Sequence, residues 1–188
     1  MKAIVLAGGN SSRMGQNKAL MKLGNQPVIQ YAIDNLSRVF DEVYISGSSL
    51  EYPFFKNIIE DSVQSRGPIG GIYSALEYCR EDIFVCSCDM PFISVKLIED
   101  ILSKKAEERI NVLRYGDKIY PTLGIYPYSA IEVIKQSIER GHLKMTALLE
   151  LQNANYIHYK DNLDDQLMNL NTPENFHHAE LYINRKSI

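Results

Sequence analysis

Two short apolar runs, Ala3-Ile4-Val5-Leu6 and Ile83-Phe84-Val85-Cys86, with a further strand expected at Val43-Tyr44-Ile45-Ser46, alternate with segments of helical spacing. A continuous apolar run of this length reads as a strand covered on both faces, because its side chains point alternately to opposite sides of a sheet. Between the runs, Val28, Ile29, Ala32, Ile33, Leu36 and Val39 recur on one helical face behind Pro27, a residue suited to a first turn. Gly67-Pro68-Ile69-Gly70-Gly71 reads as a turn opening a second helix, with Ile72, Ala75, Leu76 and Cys79 inward. Ser94 caps a third, whose apolar face is Leu97, Ile98 and Ile101. Further strands are expected at Ile58-Ile59, Asn111–Leu113, Thr122–Tyr126 and Tyr156–His158, with a helix over Ile131, Ile134 and Ile138. Thr172-Pro173-Glu174 supplies a cap, a first-turn proline and a first-turn acid for a terminal helix. Such alternation implies a three-layer α/β/α sandwich with a mostly parallel, Rossmann-like central sheet and right-handed crossovers. The chain has 188 residues, room for one such domain over 1–188.

In open parallel sheets ligands bind outside the carboxyl ends of the strands. Four segments carry chemistry, and the first three follow strands at that edge. Leu6-Ala7-Gly8-Gly9 opens a polar loop that ends at Asn17-Lys18. Glycine lets backbone amides approach phosphate oxygens, and Arg13 and Lys18 can neutralise them. The loop matches neither the P-loop nor the dinucleotide fingerprint, which disfavours a P-loop NTPase and a nicotinamide oxidoreductase. Asp89, after the strand at 83–86, is placed to hold Mg²⁺ beside a polyphosphate, or else is a capping acid. Glu60-Asp61 with the glycine turn at 67–71 would accept hydrogen bonds from a base or ribose, or is a plain loop. Asn169-Leu170-Asn171 would present two amides on one side of a strand, or lead into the helix cap at Thr172.

The formal charge is −3, which argues against a nucleic-acid surface. It is unevenly placed: residues 1–33 carry Lys2, Arg13, Lys18 and Lys22 and no acid, a head of +4. Reading that head as the anion site ties the charge pattern to the glycine loop. No apolar stretch approaches the roughly 18–20 residues of a membrane span, and no secretory leader is read at the N-terminus. The three cysteines, Cys79, Cys86 and Cys88, make no disulfide framework, so a reducing cytoplasm is expected. Cys86-Ser87-Cys88 reads as buried strand cysteines rather than a metal or redox pair, since no partner Cys/His pair has ligand spacing. His177-His178 is expected to face solvent.

Leu-Ala-Gly-Gly through Ser-Arg-Met-Gly to Lys18 resembles the signature of the nucleotidyltransferases built on the nucleotide-diphospho-sugar transferase fold. With Ile-Glu-Asp-Ser at 59–62, Gly-Pro-Ile-Gly-Gly at 67–71, Cys-Ser-Cys-Asp-Met-Pro at 86–91 and Asn-Leu-Asn-Thr-Pro-Glu at 169–174, the chain is most similar to the molybdenum cofactor guanylyltransferases. The resemblance implies transfer of GMP from GTP to the terminal phosphate of molybdopterin, with Mg²⁺ (or Mn²⁺) as cofactor and pyrophosphate as leaving group. It implies nucleotide contacts from Leu6, Ala7, Gly8, Gly9, Ser46, Asp61 and Gly70, and phosphate contacts from Lys18 with Arg13 beside it. Asp89 would hold the metal and touch the nucleotide, and Asn169 and Asn171 would lie at the catalytic or acceptor end. Ser46 stands where the family often has asparagine, and Asn17 where it often has an acid. Docking onto molybdoenzymes or other cofactor-biosynthesis proteins is implied as well. A cytidylyltransferase on a phosphorylated acceptor, and a non-catalytic cofactor-delivery module, are the alternatives.

Overall fold

A computed structural model describes residues 1–8, 17–63 and 66–186. In chain order its elements are β1 (Lys2–Leu6), β2 (Lys22–Leu23), β3 (Gln26–Pro27), α1 (Val28–Leu36), β4 (Val43–Ser46), β5 (Ile58–Ile59), α2 (Gly67–Cys79) and β6 (Ile83–Ser87). There follow α3 (Val95–Ser103), β7 (Asn111–Tyr115), β8 (Lys118–Tyr126), α4 (Ile131–Glu139), α5 (Met145–Leu151), β9 (Asn155–Tyr159) and α6 (Pro173–Lys186).

Seven strands form one sheet in the order β5-β4-β1-β6-β8-β7-β9. All its pairings are parallel except those of β8, which runs against both β6 and β7. The alternation along β1 divides the core into two layers. Ala3 and Val5 point to one face with Phe84 and Cys86, covered by Ile29, Ala32 and Leu36 of α1 and Leu97, Ile98 and Ile101 of α3. Ile4 and Leu6 point to the other with Ile83 and Val85, covered by Ile72, Ala75 and Leu76 of α2 and Ile134 and Ile138 of α4. Both faces are therefore apolar, which is why these strands read as unbroken apolar runs. A third cluster seats Ala179 of α6 on Leu23, Val28 and Leu170.

Several expectations shift in detail. Pro27 lies just before α1, paired with Lys22 in the β2–β3 hairpin, and the helix starts at Val28. The glycines at 67–71 lie inside α2 rather than in a turn before it. The strand expected at 122–126 begins at Lys118, its first half, Lys118–Thr122, being exposed or only partly buried. Gly124 sits where β8 crosses the bulge in β7; a Cβ there would fall 2.0 Å from the Asn111 carbonyl oxygen, so no other residue fits. Ser94 does cap α3, accepting from the Leu97 N–H at 3.2 Å. Thr172 caps α6 by accepting from the Asn175 N–H at 3.2 Å.

Candidate active site

Because β1, β4, β5 and β6 are parallel, Leu6, Ser46, Ile59 and Ser87 end on one edge of the sheet, and the antiparallel β8 starts there at Lys118. Two cavities open on this edge. The smaller, about 220 Å³, is lined by Leu6, Ala7, Gly8, Asn17, Lys18 and Asp89 among others. The larger, about 700 Å³, takes in Lys118–Thr122 at the start of β8, Asp164, and Asn169. Ser87, Asp89 and Asn171 line both, so the two cavities meet at these three residues.

At this seam Asp89 follows directly on β6. Its Oδ1 accepts from the Ser87 hydroxyl at 2.6 Å, which fixes the carboxylate's rotation. Its backbone carbonyl accepts from the Leu170 N–H at 2.9 Å, stitching the 169–171 segment to the end of β6. Lys18 reaches the same place from the other side of the chain. Its Nζ donates to the backbone oxygen and to Oδ1 of Asn171, each at 3.2 Å. Asn169 and Asn171 do not lie on a strand, as the alternation suggested. The Asn171 N–H bonds the Asn169 carbonyl at 2.9 Å in a tight turn, and both residues still line the larger cavity.

Asp61 and Ser46 form a second group behind Gly8. The Ser46 hydroxyl donates to Asp61 Oδ1 at 3.1 Å. Asp61 Oδ2 lies 3.1 Å from the point where a side chain at Gly8 would begin. Burial raises the Asp61 pKa, and the Ser46 hydrogen bond lowers it in part. The helix layer approaches this pair through Gly71 rather than Gly70. A Cβ on Gly71 would stand 2.6 Å from Ser46 Oγ, whereas one on Gly70 would meet Arg66 and Val63 within α2 and its approach.

The backbone at the end of β1 is largely committed within the protein. The Ala7 N–H donates to the Ser46 carbonyl at 2.9 Å, the Leu6 carbonyl accepts from the Cys88 N–H at 3.1 Å, and the Ala7 carbonyl accepts from the Tyr52 hydroxyl at 2.9 Å. A ligand donating a hydrogen bond to the Leu6 or Ala7 carbonyl would use its second lone pair. Gly9 and Arg13 lie outside the described residues.

A model of the MobA-like NTP transferase domain matches residues 3–156. The chain belongs to this family. It is similar to a probable molybdenum cofactor guanylyltransferase of Flavobacterium johnsoniae, 33% identical, the match covering 94% of this chain and 89% of the relative. A molybdenum cofactor guanylyltransferase of Vibrio vulnificus is 32% identical, with 91% and 90% covered. In fold the chain is similar to the molybdopterin-guanine dinucleotide biosynthesis protein A of Archaeoglobus fulgidus, with a TM-score of 0.82, 24% identity, and 98% and 100% covered.

The MobA-like domain match takes in Lys18, Asp61 and Asp89 and ends before Asn169 and Asn171. Within this MobA-like transferase the acid-free head does not gather at the site. Lys2 pairs with Glu42 at 3.5 Å and Glu81 at 3.9 Å at the opposite, amino-terminal edge of β1. Lys22 lies beside Gly24 and Glu180, against α6. Of the described cations in the head, only Lys18 is at the seam, so charge counting overstated the cluster. Sequence reasoning passed over Ser87 as a site residue, although its place two positions before Asp89 at a strand end was the signal. Cys86 is buried in the core as a strand cysteine, but Cys88 lies just past the end of β6, is only partly buried and lines the smaller cavity. Burial, with the nearby Asp89 charge, pushes the Cys88 thiol up to about 12, so the free thiol is protonated at neutral pH. His177 and His178 are exposed. No helix among the described residues is long and apolar enough to cross a membrane.

Proposed function

We propose that this chain transfers GMP from GTP to the terminal phosphate of molybdopterin, giving the guanine dinucleotide cofactor and pyrophosphate. The observation that carries the reading is the seam: two cavities sharing Ser87, Asp89 and Asn171, with Lys18 bonded to the third of them. The nucleotide phosphates would occupy the smaller cavity, with the nucleoside toward Gly8, Ser46 and Asp61. The larger cavity would take the acceptor, with its phosphate directed at Asp89, Asn169 and Asn171. Residues 1–188 would act as one domain.

An oxygen of the acceptor phosphate, already ionised at neutral pH, forms the new bond to the α-phosphorus, and the bond to pyrophosphate breaks. Such a nucleophile needs no strong general base, so the work left to the protein is alignment and charge cancellation. Lys18 cancels phosphate charge where the two cavities meet, and Ser87 holds Asp89 in one orientation. Among the described residues no group of three His, Cys, Asp or Glu side chains could cage a metal. A single carboxylate fits Mg²⁺ nonetheless, because that ion is commonly held by one or two carboxylates together with substrate phosphates. Asp89 would hold it (Mn²⁺ would fit the same way), and when bound it would neutralise charge developing on the phosphates. The free thiols fit a reducing cytoplasm, and transient contact with molybdoenzymes would pass the product on.

The test is incubation with each nucleoside triphosphate in turn, Mg²⁺ and molybdopterin, following pyrophosphate and the dinucleotide by mass. GTP alone should support both. Turnover with CTP and not GTP would make the chain a cytidylyltransferase, and GTP binding without pyrophosphate would make it a delivery module.

A further inference from the structure

We propose that Tyr52 is a positioning residue for Lys18, acting through Asn17; this rests on the reading of Lys18 as a phosphate ligand. Tyr52 lies in the connection between β4 and β5 and is fully buried. Its ring packs edge-on against Phe55, with centroids 6.3 Å apart. A phenylalanine would fill that space equally well. The hydroxyl needs another explanation, since a buried polar group is costly unless it is bonded.

Both of its partners belong to the nucleotide side of the site. The hydroxyl donates to the Ala7 carbonyl at 2.9 Å, just past the end of β1. It accepts from Asn17 Nδ2 at 3.0 Å. Asn17 Oδ1 in turn accepts from the Ala19 N–H at 3.1 Å, capping the single 3-10 turn that carries Lys18. Asn17 Nδ2 also donates to Glu51 Oε2 at 3.0 Å, one residue before Tyr52. The phenol therefore ties the end of β1 to the residue preceding Lys18. Burial raises its pKa, so it remains a hydrogen-bond donor at neutral pH.

Lysine is a point charge on a flexible four-carbon stem, so the placement of its ammonium depends on the anchoring of its backbone. Lys18 Nζ sits 3.2 Å from two oxygens of Asn171, at the seam. Releasing the Asn17 end would let the 3-10 turn move and the ammonium leave the phosphate path. The core has no use for the hydroxyl, and the strand ladder does not include it. Its bonds serve only to hold these two ends of chain.

The experiment compares Tyr52→Phe and Asn17→Ala, each in the native and the Lys18→Ala background, by calorimetric GTP affinity and by KM for GTP and molybdopterin. In the native background each should weaken GTP binding about two- to twelvefold, the range for a neutral hydrogen bond. KM for molybdopterin should stay unchanged. With Lys18 already removed, each should change GTP affinity less than twofold, because the effect travels through the ammonium. An equal loss in both backgrounds would show that the effect runs through the Ala7 carbonyl, a direct Asn17 contact or the fold rather than through Lys18, and would overturn the proposal. A normal GTP affinity in Tyr52→Phe, beside a weakened one in Lys18→Ala, would overturn it alone and leave the reading of Lys18 standing. Undiminished affinity in Lys18→Ala would remove both. Should Tyr52→Phe fail to fold, Asn17→Ala carries the same test with the ring in place.

Discussion

The two cavities of the site are built differently. On the smaller side and along the shared seam the polar residues are tied to one another before any ligand arrives: Asn17 to Tyr52, Lys18 to Asn171, and Asp89 to Ser87. On the larger side Lys118, Tyr120, Thr122 and Asp164 line the wall, and their side chains make no hydrogen bond among the described residues. A preorganised side suits phosphates that must be held at fixed angles while charge develops. An open side of about 700 Å³ suits a bulky acceptor that needs only its phosphate end fixed. Changes on the smaller side should therefore act on the nucleotide, and changes on the larger side on the acceptor alone.

The largest effect on substrate binding is expected from Lys18→Ala. A charge-assisted contact of about 1.5–3 kcal/mol corresponds to roughly 10- to 150-fold weaker GTP binding, read by calorimetry; undiminished affinity would break the assignment of the smaller cavity to phosphates. Gly71→Ala tests how tightly that side is packed. Its Cβ would meet Ser46 Oγ at 2.6 Å. An overpacking cost of about 1–3 kcal/mol should lower the melting temperature by roughly 2–12 °C. On the other side, Asn169→Ala should raise KM for the acceptor by about two- to twelvefold while GTP affinity stays as it was. A matching loss of GTP affinity would erase the division between the cavities.

Asp61→Asn should give the smallest effect on stability, and one that depends on pH. Burial raises the Asp61 pKa, so the folded state holds that proton more tightly than the unfolded chain. The stabilising contribution is therefore present below the unfolded carboxyl pKa and lost as pH rises through the folded one. Asparagine avoids that loss. The variant should melt slightly higher than the parent at pH 7 to 8, and the gain should shrink as pH falls into the ordinary carboxylate range. A gain independent of pH would mean that Asp61 is not destabilised by its charge.

The same contrast explains what was legible in the sequence. β1 and β6 stood out because both their faces are buried, and Leu6–Gly8, Asp61 and Asp89 followed as the residues at or just beyond strand ends. The larger cavity left little trace. The first half of β8, Lys118–Thr122, mixes polar and apolar residues and is exposed or only partly buried, so it carries no clear pattern although all five residues line the wall. The hairpin joining β7 and β8 was signalled only by Gly116-Asp117, and Gly116 has a φ of 57° there. α5 escaped notice because its seven residues bury only Leu148 and Leu149 and no side chain caps its start. The link between Lys18 and Asn171 spans 153 positions and exists only once the sheet has formed. Net charge misled for a related reason: it counts Lys2 and Lys22, which the fold sends elsewhere.

Asp89→Asn tests the seam most directly, because Asp89 faces both cavities and substitution keeps its size. The rate of pyrophosphate release from GTP in the presence of molybdopterin and Mg²⁺ should fall by about 10²- to 10³-fold, as for loss of one group that stabilises developing charge, with an unchanged melting profile. A rate equal to that of the parent would remove Asp89 from the metal role and contradict the account of the seam.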